Sequence, residues 1–182
     1  KPTGPPVFAS PALVIGVSHG ILLTLFILAT GNSSGGHINP TITLATMFTG
    51  HTSVYRAVLY IIAQTLGAWL GSALMYASLG GADAGLTPAD MALCSFGSLT
   101  EGGAFIAEMM WTFVLLFICY GVAFDPKQGA VYGPIMAPIF VGVILAMNLF
   151  ASSGMSWLPG YAPGMNFAIC YGPALAMGAE AS

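Results

Sequence analysis

Charge is what this sequence has least of. Lysine and arginine together number 3 and aspartate and glutamate 6 in 182 residues, so 5% of side chains are charged while 57% are apolar. A soluble domain carries about a quarter charged residues, so water cannot be the chain's only solvent. Three cations cannot form a basic patch, which excludes a nucleic-acid-binding surface. The net charge of −3 is spread too thinly to say much about partners. Cysteine is scarce as well. Cys94, Cys119 and Cys170 are widely spaced and odd in number, which points to neither a disulfide framework nor a zinc site. No nucleophile–base set and no metal cluster can be picked out, so an enzyme, a metal and a cofactor are not expected. An initiator Met and a cleavable signal are lacking too. The chain opens on Lys1, and a lead containing Pro2, Pro5 and Pro6 runs directly into apolar sequence, as if the start were processed away or upstream residues were absent.

What is present is apolar sequence in long blocks. Four of them, residues 8–30, 54–78, 103–124 and 132–151, have the length that a tilted helix needs to cross hydrocarbon, about 20 residues. Two more, residues 40–49 and 167–177, are apolar but too short to cross and read as re-entrant half-helices. Non-helical backbone at membrane depth is tolerated only inside protein or along a water-filled cavity, so two such segments argue for a pore or a buried site. Arg56 before the second span and Lys127 after the third fall on one side of the membrane. The loop 79–102, with Asp83, Asp90 and Glu101, falls on the other. That agrees with the positive-inside tendency.

The segment Ser34-Gly35-Gly36-His37-Ile38-Asn39-Pro40-Thr41 is the most informative. Asn is a strong N-cap and Pro is favoured at the first helical position, so Asn39-Pro40 is a helix start. The glycines before it allow close backbone approach. Pro163-Gly164-Met165-Asn166-Phe167-Ala168 sets a second Asn before a second short apolar helix. Both halves carry a small residue, Thr41 or Ala168, two positions after the Asn. Either Asn alone would be an ordinary helix cap. The pair makes a weak internal repeat of the kind that inverted-repeat channels show at the bilayer midplane.

Ser34–Leu44 resembles the first Asn-Pro-Ala loop of the aquaporins (major intrinsic proteins), with Thr41 in place of Ala. Tyr60-Ile61-Ile62-Ala63-Gln64 followed by Leu66-Gly67-Ala68 is similar to their third helix. Glu108 falls where their fourth helix keeps a buried acid, Ala137-Pro138 to Gly142 resembles the fifth, and Gly172-Pro173-Ala174-Leu175 resembles the tail of the second loop. The resemblance runs in order over nearly the whole chain. It implies an all-α membrane protein, an aquaporin-like bundle with an inverted repeat and two re-entrant half-helices. Residues 1–182 would then be a single domain incomplete at both ends, with the first and sixth spans absent. Three explanations of the missing ends stay open: unrecorded segments, a wall supplied by other chains, or a reduced structural relative.

The resemblance also assigns roles. Asn39 and Asn166 would be the pore Asn caps, each donating side-chain N–H to a passing water. Pro40, Thr41, Phe167 and Ala168 would be the half-helix starts. Carbonyls just before each Asn would line the path. The selectivity filter would comprise His19, Leu149, Pro163 and Ile169, a set similar to the plant tonoplast intrinsic type, which passes water, urea and similar neutral solutes. Ile169 departs from the Arg that most members carry, which leaves His19 as the ionisable side chain of the filter. His19 either makes conductance depend on pH or simply bonds a neighbouring carbonyl. Phe167 departs from Pro, and its ring either packs sideways or obstructs the pore. His37, Gln64 and Glu108 would be structural supports, His51 interfacial, and Gly67-Ala68-Trp69-Leu70-Gly71 a stripe for close helix packing.

The function expected is a passive channel for water or small neutral solutes of the urea, glycerol, ammonia and hydrogen peroxide class. The alternative is a non-conducting aquaporin-like subunit of a larger membrane complex. The partners expected are the lipid bilayer and either a homotetramer or that larger complex. The location expected is a membrane crossed several times, its identity not legible.

Overall fold

The computed structural model describes residues 11–85, 94–153 and 160–178. The proline lead, Asp90 and residues 154–159 lie outside them. The helices in chain order are α1 (Pro11–Ser34), α2 (Pro40–Phe48), α3 (Val54–Ser78), α4 (Glu101–Cys119), α5 (Pro126–Ser153) and α6 (Phe167–Ala176). A 3-10 turn at Gly81–Ala84 follows α3, and a π-helical turn at Tyr120–Phe124 extends α4. Two short strands, β1 (Ser95–Phe96) and β2 (Tyr161–Ala162), pair with each other.

α1, α3, α4 with its π turn, and α5 are each long and apolar enough to cross a membrane. Their exposed faces explain why charge is dispensable. Leu25 and Phe26 on α1, Leu70 and Leu74 on α3, and Phe113 and Phe117 on α4 all lie on the outside. Such faces would be a liability in water and are the normal surface against acyl chains.

The helices divide between two compact units. The first contains α1, α4, α5 and β2, and its strongest association is α1 on α5. Close approach there depends on small residues. A Cβ added at Gly16 would meet the Ala146 carbonyl oxygen at 2.8 Å, and one added at Gly20 would meet the Ala146 Cβ at 2.8 Å and the Gly142 carbonyl as well. The Thr24 hydroxyl lies in the same seam, within hydrogen-bond distance of its own helix at the Gly20 carbonyl (2.9 Å) and of α5 at the Pro138 carbonyl (3.3 Å). Without a hydrophobic drive between helices in lipid, this intimate packing and hydrogen bonding carry the association. The buried Asn148 of α5 donates to the Trp111 carbonyl of α4 at 3.1 Å, joining a third helix.

One span boundary, the start of the fourth, differs from the sequence expectation. Gly133 adopts φ 67°, ψ 176°, so the stretch Pro126–Ser153 is two helices meeting at a break. The fourth span therefore begins at Pro134, whose missing N–H suits a first helical position. The third block ends at Phe124 as expected, but in a π turn, where the Asp125 N–H bonds the Tyr120 carbonyl at 2.9 Å.

The second unit contains α2, α3, α6 and the 3-10 turn. Of the stripe 67–71, Ala68 makes the close approach within the chain. A Cβ on Gly67 or Gly71 would meet nothing within 4 Å, whereas one on Gly172 of α6 would meet Ala68 Cβ at 2.9 Å and its backbone at 2.8 Å. Ala68 faces α6, and Gly67 and Gly71 flank that contact on the outward side.

Candidate functional site

The site grows from two helix starts within the second unit. Asn39 is extended (φ −152°), and its Oδ1 accepts the Thr41 N–H at 2.8 Å, with Pro40 as the first helical residue of α2. Asn166 repeats the arrangement (φ −140°), its Oδ1 accepting the Ala168 N–H at 3.1 Å, with Phe167 first in α6. With each Oδ1 committed to a helix N–H, the orientation of each amide is set, and Nδ2 must point away from its own helix.

Those two Nδ2 groups cross over. Asn39 donates to the Met165 carbonyl at 3.0 Å, and Asn166 donates to the Ile38 carbonyl at 3.2 Å. Each Asn thus bonds the residue just before the other, and the two half-helices meet start to start. Ile38 and Met165 are turned into the left-handed region to present these carbonyls (φ 50° and 48°). A positive φ is a true outlier for a β-branched residue, and such strain, of order 1–3 kcal/mol, persists only where its surroundings over-determine it. An Asn amide has two hydrogens, so after the cross-over each Asn retains one N–H for another partner. The helix starts also bring about half an elementary positive charge each.

Behind α2 lies a polar cluster that the sequence reading did not identify as a unit. Thr43 is fully buried. Its hydroxyl donates to the Asn39 carbonyl at 3.0 Å and accepts from Gln64 Nε2 at 3.0 Å and from His37 Nδ1 at 3.2 Å. One donor and two acceptor sites are thereby used in full. The His37 ring also stands edge-on to Tyr60, with centroids 5.6 Å apart. α2 carries three threonines, Thr41, Thr43 and Thr46, and the signal that could have singled out Thr43 is its place one turn after Asn39. At the far end of α2, Thr46 and Thr52 bond each other at 3.0 Å and close the turn. His51, exposed, contacts the Thr49 hydroxyl at 3.1 Å.

The other assigned residues fall as follows. His19 bonds the Ile15 carbonyl of its own helix through Nδ1 at 3.0 Å. A carbonyl only accepts, so the proton is on Nδ1 and Nε2 is the acceptor in the neutral ring. Leu149 on α5 and Ile169 on α6 are half-buried, while Pro163 is fully buried. The Phe167 ring, 54% exposed, stacks on Tyr171 one turn along the same helix, with centroids 5.2 Å apart. Glu108 on α4 accepts a hydrogen bond from the Tyr161 hydroxyl at 3.3 Å. Burial first, and then the charge and hydrogen bond of Glu108, push the Tyr161 phenol well above its ordinary range.

The cysteine expectation is overturned. Cys94 and Cys170 form a disulfide with their Cα atoms 5.2 Å apart, while Cys119 is free and buried. The partners are separated by 76 residues, so their pairing depends on tertiary structure that spacing does not reveal.

Comparison with known proteins agrees with this geometry. A family model described as "Major intrinsic protein" matches residues 8–180. A protein named "Probable aquaporin TIP3-2" from Arabidopsis thaliana is 33% identical over 163 residues, 90% of this chain and 56% of its own length. "Aquaporin TIP1-2" from Zea mays is 34% identical over 176 residues, 93% of this chain and 63% of its own. "Aquaporin TIP3-1" from Zea mays is 39% identical over 144 residues, 79% and 50% respectively. The chain therefore spans between half and two thirds of the length of these relatives. With four membrane-length helices and paired Asn-capped half-helices, the chain is an integral, multi-pass membrane protein that belongs to the major intrinsic protein family.

Proposed function

We propose that this chain forms the conducting part of a passive channel for water and small uncharged solutes such as urea, glycerol, ammonia and hydrogen peroxide. The observation that carries the reading is the reciprocal cap. Two Asn amides, each pinned by its own helix and by the opposite strand of backbone, each retain one N–H for a passing water. A water that accepts from both must turn its hydrogens outward, and this breaks the wire along which protons would hop. The two positive helix ends oppose cations at the same point. The Ile38 carbonyl has a second lone pair and offers an acceptor beside the caps.

His19, Leu149, Pro163 and Ile169 are the filter in this reading, with Ile169 giving an apolar wall in place of a cation. Glu108, His37 and Gln64 support the backbone and take no part in transfer. No bond is made or broken, so no enzyme chemistry or cofactor is invoked, and the family resemblance favours a homotetramer with one pore per subunit. Stopped-flow light scattering of proteoliposomes tests the reading. Water permeability should exceed that of empty vesicles and fall on Asn39→Asp, which replaces the shared amide by a carboxylate unable to donate. Equal rates for protein-containing and empty vesicles would overturn it and leave a non-conducting subunit.

A further inference from the structure

We propose that the Cys94–Cys170 disulfide is a redox-set latch on the filter half-helix. The inference rests on the channel reading. Cys170 is the fourth residue of α6 and directly follows Ile169. α6 has only 10 residues, fewer than an isolated helix needs to persist, about 12–15. Within its unit it is held by the cap at Asn166, by the Gly172–Ala68 contact, and by the disulfide. The last of these is the only covalent tie among the described residues, and it fastens the turn bearing Ile169 to the end of the connection that precedes α4.

Topology places the bond where it can persist. Arg56 at the start of α3 and Lys127 at the start of α5 mark the cytoplasmic ends of those helices by the positive-inside tendency. The chain leaves α3 at Ser78 and enters α4 at Glu101, so Cys94 belongs to the opposite, non-cytoplasmic face. Disulfides form and last on such oxidising faces and are reduced where thiols are abundant. A thiol reductant arriving there would attack one Sγ as thiolate and form a mixed disulfide. A second thiol then resolves it, leaving Cys94 and Cys170 as two protonated thiols and the reductant as its own disulfide. With the tie cut, the turn bearing Ile169 is no longer held in place within its unit, and larger neutral solutes gain more than water does.

The test compares urea and water permeability in proteoliposomes before and after dithiothreitol, with alkylation and mass measurement to confirm cleavage. The proposal expects a several-fold rise in the urea-to-water ratio, reversed on reoxidation. Cys94→Ser and Cys170→Ser should each show the raised ratio without reductant and no response to it. A channel that conducts water with an unchanged ratio after confirmed cleavage would overturn the latch and leave the channel reading intact. So would a change that reoxidation fails to reverse, or an equal change for both solutes. Absence of water conduction in both redox states would overturn both readings.

Discussion

At the scale of single residues, the site works by exhausting hydrogen-bond capacity in some groups and deliberately sparing it in others. Thr43 is the saturated case, and Thr43→Val keeps its shape while removing all three bonds. His37 and Gln64 would then each hold a donor without its partner, a cost of about 1–3 kcal/mol per group. Thermal melts in detergent should show this loss, and Thr43→Ser should recover most of it. Ile169 is the opposite case, an apolar side chain where an Arg would donate and repel. Ile169→Arg should reduce urea permeability more than water permeability, and equal reduction of both would remove Ile169 from the filter. Tyr161 gives a pH signature. In the unfolded chain its phenol titrates near pH 10, while in the folded chain burial and Glu108 hold the proton to higher pH. Above about pH 10 the unfolded state sheds a proton that the folded state keeps, so stability falls as pH rises. Tyr161→Phe should flatten that alkaline slope in unfolding measurements at pH 9 and pH 11.

At the scale of elements, the helix pairs differ in how much they tolerate. On α1 a Cβ at Gly20 would collide with the backbone of α5, so Gly20→Val should cost more than the 1–3 kcal/mol typical of overpacking, roughly, because rigid backbone cannot yield. Gly67→Ala and Gly71→Ala have open space around them. They should be neutral or gain about 0.5–1 kcal/mol from helix propensity. Melting temperatures of the three variants side by side separate the true packing stripe from the apparent one. That contrast also shows what sequence can reveal about an element. The starts of α2 and α6 were readable because Asn caps and a first-turn proline act locally. The helix boundaries at Val54 and Ser78 were readable from the change in composition at both ends, and the structure adds a Ser53 cap at the start. Which glycines meet a partner depends on the rotation of a helix against its neighbour. GxxxG spacing is the same for Gly16 and Gly20 as for Gly67 and Gly71. The π turn was illegible for a related reason, because it lies inside an unbroken apolar run, whereas the Gly133 break falls at the start of the fourth block, beside Pro134.

At the scale of the whole molecule, the sequence and the family agree on an apolar multi-pass protein. Composition alone pointed to a membrane protein, and order along the chain identified the family. The disulfide was missed because two cysteines separated by 76 residues carry no local signal, and an odd count hid the pair. The Asn cross-over was legible only in part. The residues were foreseen, but the engagement of Ile38 and Met165 by the opposite amides needed the two helix starts to be seen together.

The central claim is that these paired caps pass water and stop protons. Its most direct test loads proteoliposomes with a pH-reporting dye and follows volume and internal pH together, under an osmotic step and then under a proton gradient. The account predicts rapid shrinkage with no proton entry above that of empty vesicles, and slower shrinkage when Asn39 and Asn166 are both changed to Asp. Shrinkage no faster than in empty vesicles, or proton entry that keeps pace with water, would contradict it.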